Sequence, residues 1–211
     1  MTSLLDLLTS ATPDARITGV VTGVVTNVAD DEGLHRVRVR FPWLSDKEES
    51  AWARVATPMA GPERGLYILP EVDDEVLVAF EHGDPRFPYV IGSLWNSGAK
   101  PPAEKTDKND KRSLTSRSGH VVRLDDTDGA EKIEIVDASE KNSIVISTAD
   151  HTITIKADAD ITIESSSGKL VLKGKGVVIV SQADVKVEAD GKLDLKASGQ
   201  LNAKGSVINL N

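Results

Sequence analysis

The chain of 211 residues contains no cysteine. Disulfide bonds and thiolate metal sites are therefore excluded, and so is a small fold held together by disulfides. Aromatic residues make up only 4% of the sequence, and all eight lie between Phe41 and Trp95. All nine prolines lie at or before Pro102. The absence of both residue types from the second half indicates two regions of different construction.

Long apolar runs and an excess of positive charge are also missing. The sequence contains no run of 18 apolar residues that would predict a transmembrane helix. Segment 1–8 lacks the basic start and the long apolar stretch of a secretory signal. We therefore expect a chain that is made in the cytoplasm and either stays there or leaves by a dedicated route such as lysis. The formal net charge of −8 disfavours binding to the phosphate backbone of nucleic acids, so we expect no nucleic-acid partner.

The second half contains instead a short repeat, from about residue 143 to residue 211. Each unit has two apolar residues at i and i+2 followed by a polar corner, and the units recur about every eight residues. A short fixed period predicts a β-solenoid. The predicted strands are 144–146, 153–155, 161–163, 170–172, 177–179, 185–187, 193–195, 201–203 and 208–210. Such a rod offers no place for an enzyme pocket.

Two arrangements of these strands are open, because an eight-residue unit is the length of one side of a triangle. One chain can coil to supply all three sides, or three chains can wrap around each other. Composition alone does not decide between them, but three chains leave few free strand edges along the rod, and we favour three partly for this reason. The residues expected in the trimer core are Ile153, Ile155, Ile161, Ile163, Leu170, Leu172, Val177, Ile179, Val185, Val187, Leu193, Leu195, Leu201, Ile208 and Leu210.

The first half predicts a small closed barrel. Residues 1–15 are expected to form a short arm, in which Leu4, Leu5, Leu7 and Leu8 give one apolar face. Residues 16–98 contain five or six short apolar runs separated by turn residues, without a long helix, and the OB-fold is the leading candidate. The predicted strands lie within 17–28, 36–41, 51–55, 65–69, 75–81 and 89–94.

Between barrel and rod we expect a linker and a β transition. Residues 99–118 are polar and dense in charge, which predicts a linker. Residues 119–142 contain two strands, 121–124 and 132–136, joined by the turn-forming run Asp125–Gly129. The needle is then expected over 143–211. The predicted fold class is all-β, an OB-fold barrel followed by an intertwined triple-stranded β-helix.

Candidate catalytic and metal-binding groups are few. His82 and Asp84 lie two residues apart, but no nucleophile motif accompanies them, and Gly83-Asp84-Pro85 predicts a turn between strands. The acidic run Asp125–Asp128 lacks the later Glu and the helices of a calcium loop, so a polar hairpin is the better interpretation. We predict no enzyme activity, no cofactor and no metal site.

The barrel motifs also resemble a known family. The strings 37–43 (VRVRFPW), 50–56 (SAWARVA), 65–72 (GLYILPEV), 81–86 (EHGDPR) and 88–96 (PYVIGSLWN), followed by 116–120 (SRSGH) and 124–127 (LDDT), are similar to contractile-tail spike proteins. This family includes phage baseplate assembly protein V, the VgrG spikes of type VI secretion and the spikes of extracellular injection particles. In place of the glycine that usually precedes the Asp of the LPxVGD turn, this sequence has Asp73.

The resemblance implies a homotrimeric spike, assembled in the bacterial cytoplasm into a phage-tail-like particle. It implies tube and baseplate partners, a hub protein beneath the collar, and a needle driven through the target cell envelope when the sheath contracts. We expect a separate hub, which would contact Leu4, Leu5, Leu7 and Leu8. No histidine metal motif occurs over 206–211. We therefore expect a PAAR-type tip protein to dock on Ile208, Asn209, Leu210 and Asn211.

A second function is open on the sequence alone. The barrel can be an OB-fold module that binds an oligonucleotide or a glycan, with the rod as its stalk. Trp43, Trp52 and Trp95 are the residues that would stack on bases or sugars. The negative net charge opposes the nucleic-acid version of this hypothesis.

Overall fold

The computed structural model describes residues 16–103 and 105–209. The arm residues Leu4, Leu5, Leu7 and Leu8 lie outside the described residues, as do Leu210 and Asn211. The chain divides into one unit up to Lys156 and a second from Ala157 onward. The described residues contain no α-helix, only a 3₁₀ turn over Glu81–Gly83. No helix long and apolar enough to cross a membrane is found in this part of the chain.

The barrel region is built on a five-stranded sheet. Its strands are β1 (Val20–Asn27), β2 (Arg38–Arg40), β3 (Arg54–Val55), β6 (Glu75–Phe80) and β7 (Pro88–Leu94), and a small hairpin pairs β4 (Ala60–Gly61) with β5 (Arg64–Gly65). The order in the sheet is β2-β1-β6-β7-β3. Among the described strand pairs, β3 and β7 alone run parallel. This curved half-barrel is consistent with the expected OB domain.

The core lies on one face of this sheet. The predicted alternation in 36–41 is confirmed, since Val37, Val39 and Phe41 are all buried. They pack in one cluster with Ala53, which precedes β3, and with apolar side chains of β1, β6 and β7: Val25, Val76, Val78, Phe80 and Val90. The core is therefore made mainly of valine, whose branched side chain suits a pleated surface.

One predicted barrel strand is wrong. The apolar run 65–69 contributes only Gly65 to a strand, and Leu66, Tyr67 and Ile68 are exposed. The hairpin closes when the N–H of Leu66 donates to the carbonyl of Met59. Beyond this bond the segment runs along the surface, and the ring of Tyr67 packs edge-on against His35 at 5.2 Å between centroids. An apolar run without alternation was a weak strand signal.

The turn after β1 is organised by one carboxylate. Asp30 accepts hydrogen bonds from the N–H groups of Glu32 and Leu34, and its two oxygens take both Nε and Nη2 of Arg36 at 2.9 and 2.7 Å. The Asp30 side chain is 1% exposed. Its hydrogen bonds with Arg36 hold the pKa of Asp30 well below the usual range of an aspartate.

This pairing predicts a pH dependence of barrel stability. Because the folded pKa of Asp30 is lowered, its contribution is complete above the unfolded pKa of about 4 and is lost as the pH falls further. We expect Asp30→Asn to lower the urea midpoint at pH 7 and to flatten its decline between about pH 5 and pH 3. Asp31→Asn, in the same turn, should keep the wild-type slope. An unchanged slope in Asp30→Asn would contradict this role.

Asp73 occupies a turn position that favours glycine. Its φ is +75°, in the left-handed region, and its N–H donates to the carbonyl of Val25 at 2.9 Å. Asp74 closes the turn by accepting from the N–H of Glu71 at 2.8 Å. The turn expected from the LPxVGD comparison is therefore formed with an aspartate in the glycine position.

Replacing this aspartate should stabilise the protein. A non-glycine residue in the left-handed region costs on the order of 1 kcal/mol. We expect Asp73→Gly to increase the free energy of unfolding by roughly 0.5–1 kcal/mol, measured by urea denaturation. The matched change Asp31→Gly, at a residue without positive φ, should not stabilise. A destabilised Asp73→Gly protein would show that the aspartate makes a contribution beyond its backbone conformation.

A second sheet follows the barrel. It is an antiparallel meander of β8 (Lys111–Thr115), β9 (Val121–Asp125), β10 (Lys132–Val136), β11 (Ser143–Ser147) and β12 (Thr152–Lys156). The two strands expected in 119–142 are confirmed, as is the polar turn between them. The expected linker, 99–118, contains β8, a strand that the sequence analysis missed. Five backbone pairs with β9 stabilise this strand despite its high charge.

The boundary expected at residue 143 also moves. The first two repeat strands, 144–146 and 153–155, form β11 and β12 of the antiparallel sheet. A four-residue turn between them returns the chain alongside itself, so they are not successive sides of a triangle. Whatever continues as a rod begins after Lys156.

Residues 157–209 contain no strand within the described part of the chain. From Asp158 to Asn209 every residue is exposed. In a coil made by one chain, each side would pair with the next turn of the same chain, and these pairs would define strands. The described residues therefore do not form a single-chain coil, and the predicted strands from Ile161 up to residue 209 find no partner strand among them.

Candidate assembly face

The second sheet presents one apolar face, which we call the assembly face. The register places Leu124, Ile133, Ile146 and Ile153 opposite one another across β9 to β12. A second column runs through Leu114, Val122, Ile135, Ile144 and Ile155 across all five strands. Residues paired across strands point to the same side of a sheet. The nine side chains therefore form two continuous columns.

This face is uncovered in the single chain. Its side chains remain between 40% exposed, at Ile146, and 70% exposed, at Ile153. Nine adjacent large apolar side chains form a patch of a kind that monomeric proteins rarely leave in contact with water. Scattered exposed apolar residues would need no explanation, but two aligned columns indicate a surface that another protein covers.

The opposite face of the same sheet is mainly polar, and on β9, β10 and β11 it is better buried. Glu134 is 8% exposed and lies between Lys132 at 2.9 Å and Arg123 at 3.3 Å. Asp125, 7% exposed, accepts two hydrogen bonds from Thr127, and these lower its pKa. The buried charged groups of this polar face therefore have their partners within the chain. The apolar side is therefore the one that lacks a covering partner.

At one end the assembly face becomes concave. A hollow of about 460 Å³ is lined by Leu114, Val122, Ile135, Ile144 and Ile155, with His120, Asn142 and Lys156 among its polar lining. The N–H of Ala138 donates to Nδ1 of His120 at 3.1 Å, and this bond joins the β8–β9 and β10–β11 turns. Asp137 also lines the hollow, and its carboxylate accepts hydrogen bonds from Ser139 and Asn142.

The predicted trimer-core residues fall into two groups. Ile153 and Ile155 lie on the assembly face, where β12 places them beside the isoleucines of β11. The remaining described members, Ile161, Ile163, Leu170, Leu172, Val177, Ile179, Val185, Val187, Leu193, Leu195, Leu201 and Ile208, are all exposed, as is Asn209. Within the chain the structure does not bring these side chains into a core.

Seven members of the assembly face are absent from the predicted trimer core: Leu114, Val122, Leu124, Ile133, Ile135, Ile144 and Ile146. Of these, only Ile144 and Ile146 were predicted to point inward, as the apolar pair of the first repeat strand. The signal was present, since each pair on β9, β10 and β11 has the same i and i+2 spacing as the repeat. What was missing was the register, which depends on turns of four to six residues. Aligning the strands on their apolar pairs would have predicted the two columns.

The other candidate groups have structural roles. The carboxylate of Asp84 binds the guanidinium of Arg86, and this pairing lowers the pKa of Asp84 to about 2. This interaction occupies the carboxylate that a His82–Asp84 pair would need. Trp52 lies under the guanidinium groups of Arg38 at 4.8 Å and Arg36 at 5.8 Å. Its ring therefore already has cationic stacking partners.

Comparison with known proteins gives the family of the barrel. Residues 21–95 match the model of the type VI secretion system and phage-baseplate injector OB domain. The chain is similar to the type VI secretion spike proteins VgrG4b of Pseudomonas aeruginosa, 35% identical over 136 residues, and VgrG3 of Vibrio cholerae, 29% identical over 136 residues. It is also similar to VgrG1a of Pseudomonas aeruginosa, 28% identical over 158 residues.

These alignments cover much of this chain and little of the relatives. They span 57%, 60% and 67% of the chain but only 17%, 13% and 25% of VgrG4b, VgrG3 and VgrG1a. The match to the injector OB domain and the longer alignments to spike proteins together confirm the resemblance found in the sequence.

Proposed function

We propose that this chain, whose residues 21–95 match the injector OB domain and which is similar to VgrG spike proteins, is the central spike of a contractile injection apparatus and works as a homotrimer. The OB barrel would be the collar that receives load from the tube, and the residues after Lys156 would form the needle. Sheath contraction would supply the energy, so the spike itself would need to catalyse nothing.

The observation that carries this proposal is the assembly face. Fully burying a valine, leucine or isoleucine contributes about 1.5–3 kcal/mol, and these side chains are roughly half-buried already. Covering nine of them would therefore contribute on the order of 10 kcal/mol per chain before the cost of association. A face whose burial would contribute this much free energy is suited to a permanent subunit interface.

Three copies fit the face better than two. Three sheets can each place an apolar face toward one axis and form a triangular prism, with the charged faces outward. The repeat after Lys156 has the length of one triangle side, so the same three-fold arrangement can continue along the chain. Its i and i+2 apolar residues, all exposed in the single chain, would then line the inside.

The partners follow from this role. We propose contacts with tube and baseplate components at the collar, a hub protein beneath it, and the target envelope at the needle. A tip protein on Ile208 and Asn209 remains a prediction, as does hub docking through the arm. Stiffness would come from continuous strand pairing and dry packing of aliphatic side chains.

Purified particles test the proposal. Sheath-and-tube particles isolated from cells that produce a tagged chain should contain it in a fixed ratio of three copies per tube end, measured by quantitative mass spectrometry. The ratio should be unchanged by a salt wash that removes peripheral proteins. Absence of the chain from intact, contractile particles would refute the spike role, even if the purified protein were a trimer.

A further inference from the structure

The last strand of the second sheet has one unpaired side among the described residues. β12 pairs with β11 over five residues and stands at the end of the order β12-β11-β10-β9-β8. All five of its residues are exposed. An edge strand presents a row of backbone donors and acceptors, and a second strand added there gains main-chain hydrogen bonds.

The assembly face determines which residue pattern such an added strand must have. Its two columns end at Ile153 and Ile155. A strand that continued both columns would need apolar residues at i and i+2 with a polar residue between them. The first segment after β12 with this pattern is 160–164, in which Ile161 and Ile163 flank Thr162.

Charge agrees with this pairing in either strand direction. With Thr162 opposite Thr154, both isoleucine pairs lie on the same face whether the strands run parallel or antiparallel. Lys156 at the end of β12 then faces Glu164 in the parallel case and Asp160 in the antiparallel case. Opposite charges directly across two strands are favourable, and the segment supplies a carboxylate at both ends.

We propose that the free side of β12 pairs with residues 160–164 of a second copy of this chain, with Thr154 opposite Thr162. The described residues from 157 onward contain no strand in the single chain, so the added strand comes from a neighbour. Each sheet would thus be continued by its neighbour, and this junction would begin the intertwined part. The inference rests on the proposed homotrimer and adds to it one strand pair and its register.

Cysteine cross-linking tests this pair, because the chain has no cysteine of its own. Neighbouring strands lie about 4.8 Å apart, within the Cα distance that a disulfide allows. In the double variant Thr154→Cys, Thr162→Cys, mild oxidation should give covalent species of two and three chains on a non-reducing gel. Mixing the two single variants by co-expression should give covalent dimers only.

The matched control is Val145→Cys, Thr162→Cys. Val145 is the β11 partner of Thr154 on the same face, one strand further from the edge and beyond disulfide reach of the added strand. It should give little cross-linking. Monomer-sized protein with both thiols oxidised would overturn the inference, because the strand would then come from the same chain. A trimer by light scattering that forms no disulfide would overturn the register but leave the proposed function standing, whereas a monomer would refute both.

Discussion

Ile144→Lys should dissociate the proposed trimer into monomers. Ile144 lies in the middle of the assembly face, between Ile135 and Ile155 in the same column. In a trimer the change would remove three buried isoleucines and place three ammonium groups close to one axis. Ile144 is already more than half-buried in the single chain, so losing the added burial costs about 1 kcal/mol per copy and weakens assembly by roughly two orders of magnitude. The buried charge weakens it further. The measurement is the molar mass in solution at micromolar concentration.

The neighbouring residue supplies the control. Val145 is on the same strand but on the opposite, charged face, where its register partner is Glu134. Val145→Lys adds the same charge to the same strand beside a carboxylate and should leave the trimer intact. If both variants dissociated, the effect would be one of strand stability. If neither did, the assembly face would not be the interface.

Gly23→Ala should destabilise the barrel by about 3 kcal/mol. Gly23 lies in β1 beside the buried side chains of Val39 in β2 and of Phe41, which follows β2. A Cβ added there would lie 2.3 Å from Cγ1 of Val39, 3.0 Å from the carbonyl oxygen of Arg40 and 3.1 Å from Cδ1 of Phe41. Val39 and Phe41 are fully buried and cannot move aside cheaply. Overpacking of a dense core typically costs about 1–3 kcal/mol, and this approach is at the severe end.

The same substitution elsewhere in the sheet distinguishes steric crowding by the added Cβ from the change in backbone entropy between glycine and alanine. Gly92 lies in β7 and has no heavy atom within 4 Å of the position of an added Cβ. Gly92→Ala should therefore be neutral or stabilise by up to about 1 kcal/mol, because alanine loses less backbone entropy on folding. Urea denaturation of both variants tests the pair. Equal effects at Gly23 and Gly92 would show that β1 and β2 are less tightly packed than we describe.

The sequence predicted the barrel well because its signals are local. Alternation in 36–41 gave the buried set Val37, Val39 and Phe41, and the turn residues of 30–33 separated β1 from β2. The wrong strand prediction over 65–69 also came from relying on a local signal. Whether an apolar run joins a sheet depends on finding a free edge, and no local pattern reports that.

The second sheet was predicted less well because its fold depends on register. Val122, Ile133 and Ile144 carry the same local pattern as residues much later in the chain. The repeat therefore indicated one continuous rod from residue 143, whereas β11 and β12 belong to an antiparallel meander. Local periodicity predicts which side chains share a face, but turn geometry decides which strands pair. The charged strand β8 was missed because its partner β9, not its composition, stabilises it.

The division at Lys156 has a mechanical consequence under the proposed function. Up to this residue the described strands pair within their own chain, with β12 free on one side, and beyond it the strands would require neighbours. Force arriving at the collar would thus pass from strands that pair within one copy to strands that pair between copies. The assembly face is the surface across which the three copies would be joined before that transfer.

The molar mass of the purified chain in solution, measured by light scattering after size-exclusion chromatography, tests the central claim most directly. The claim is that the apolar face of the second sheet is a three-fold subunit interface. It predicts three times 22.6 kDa, about 68 kDa, independent of concentration over the micromolar range. A stable monomer of 22.6 kDa would contradict it, because nine exposed apolar side chains would then be tolerated in water without a partner.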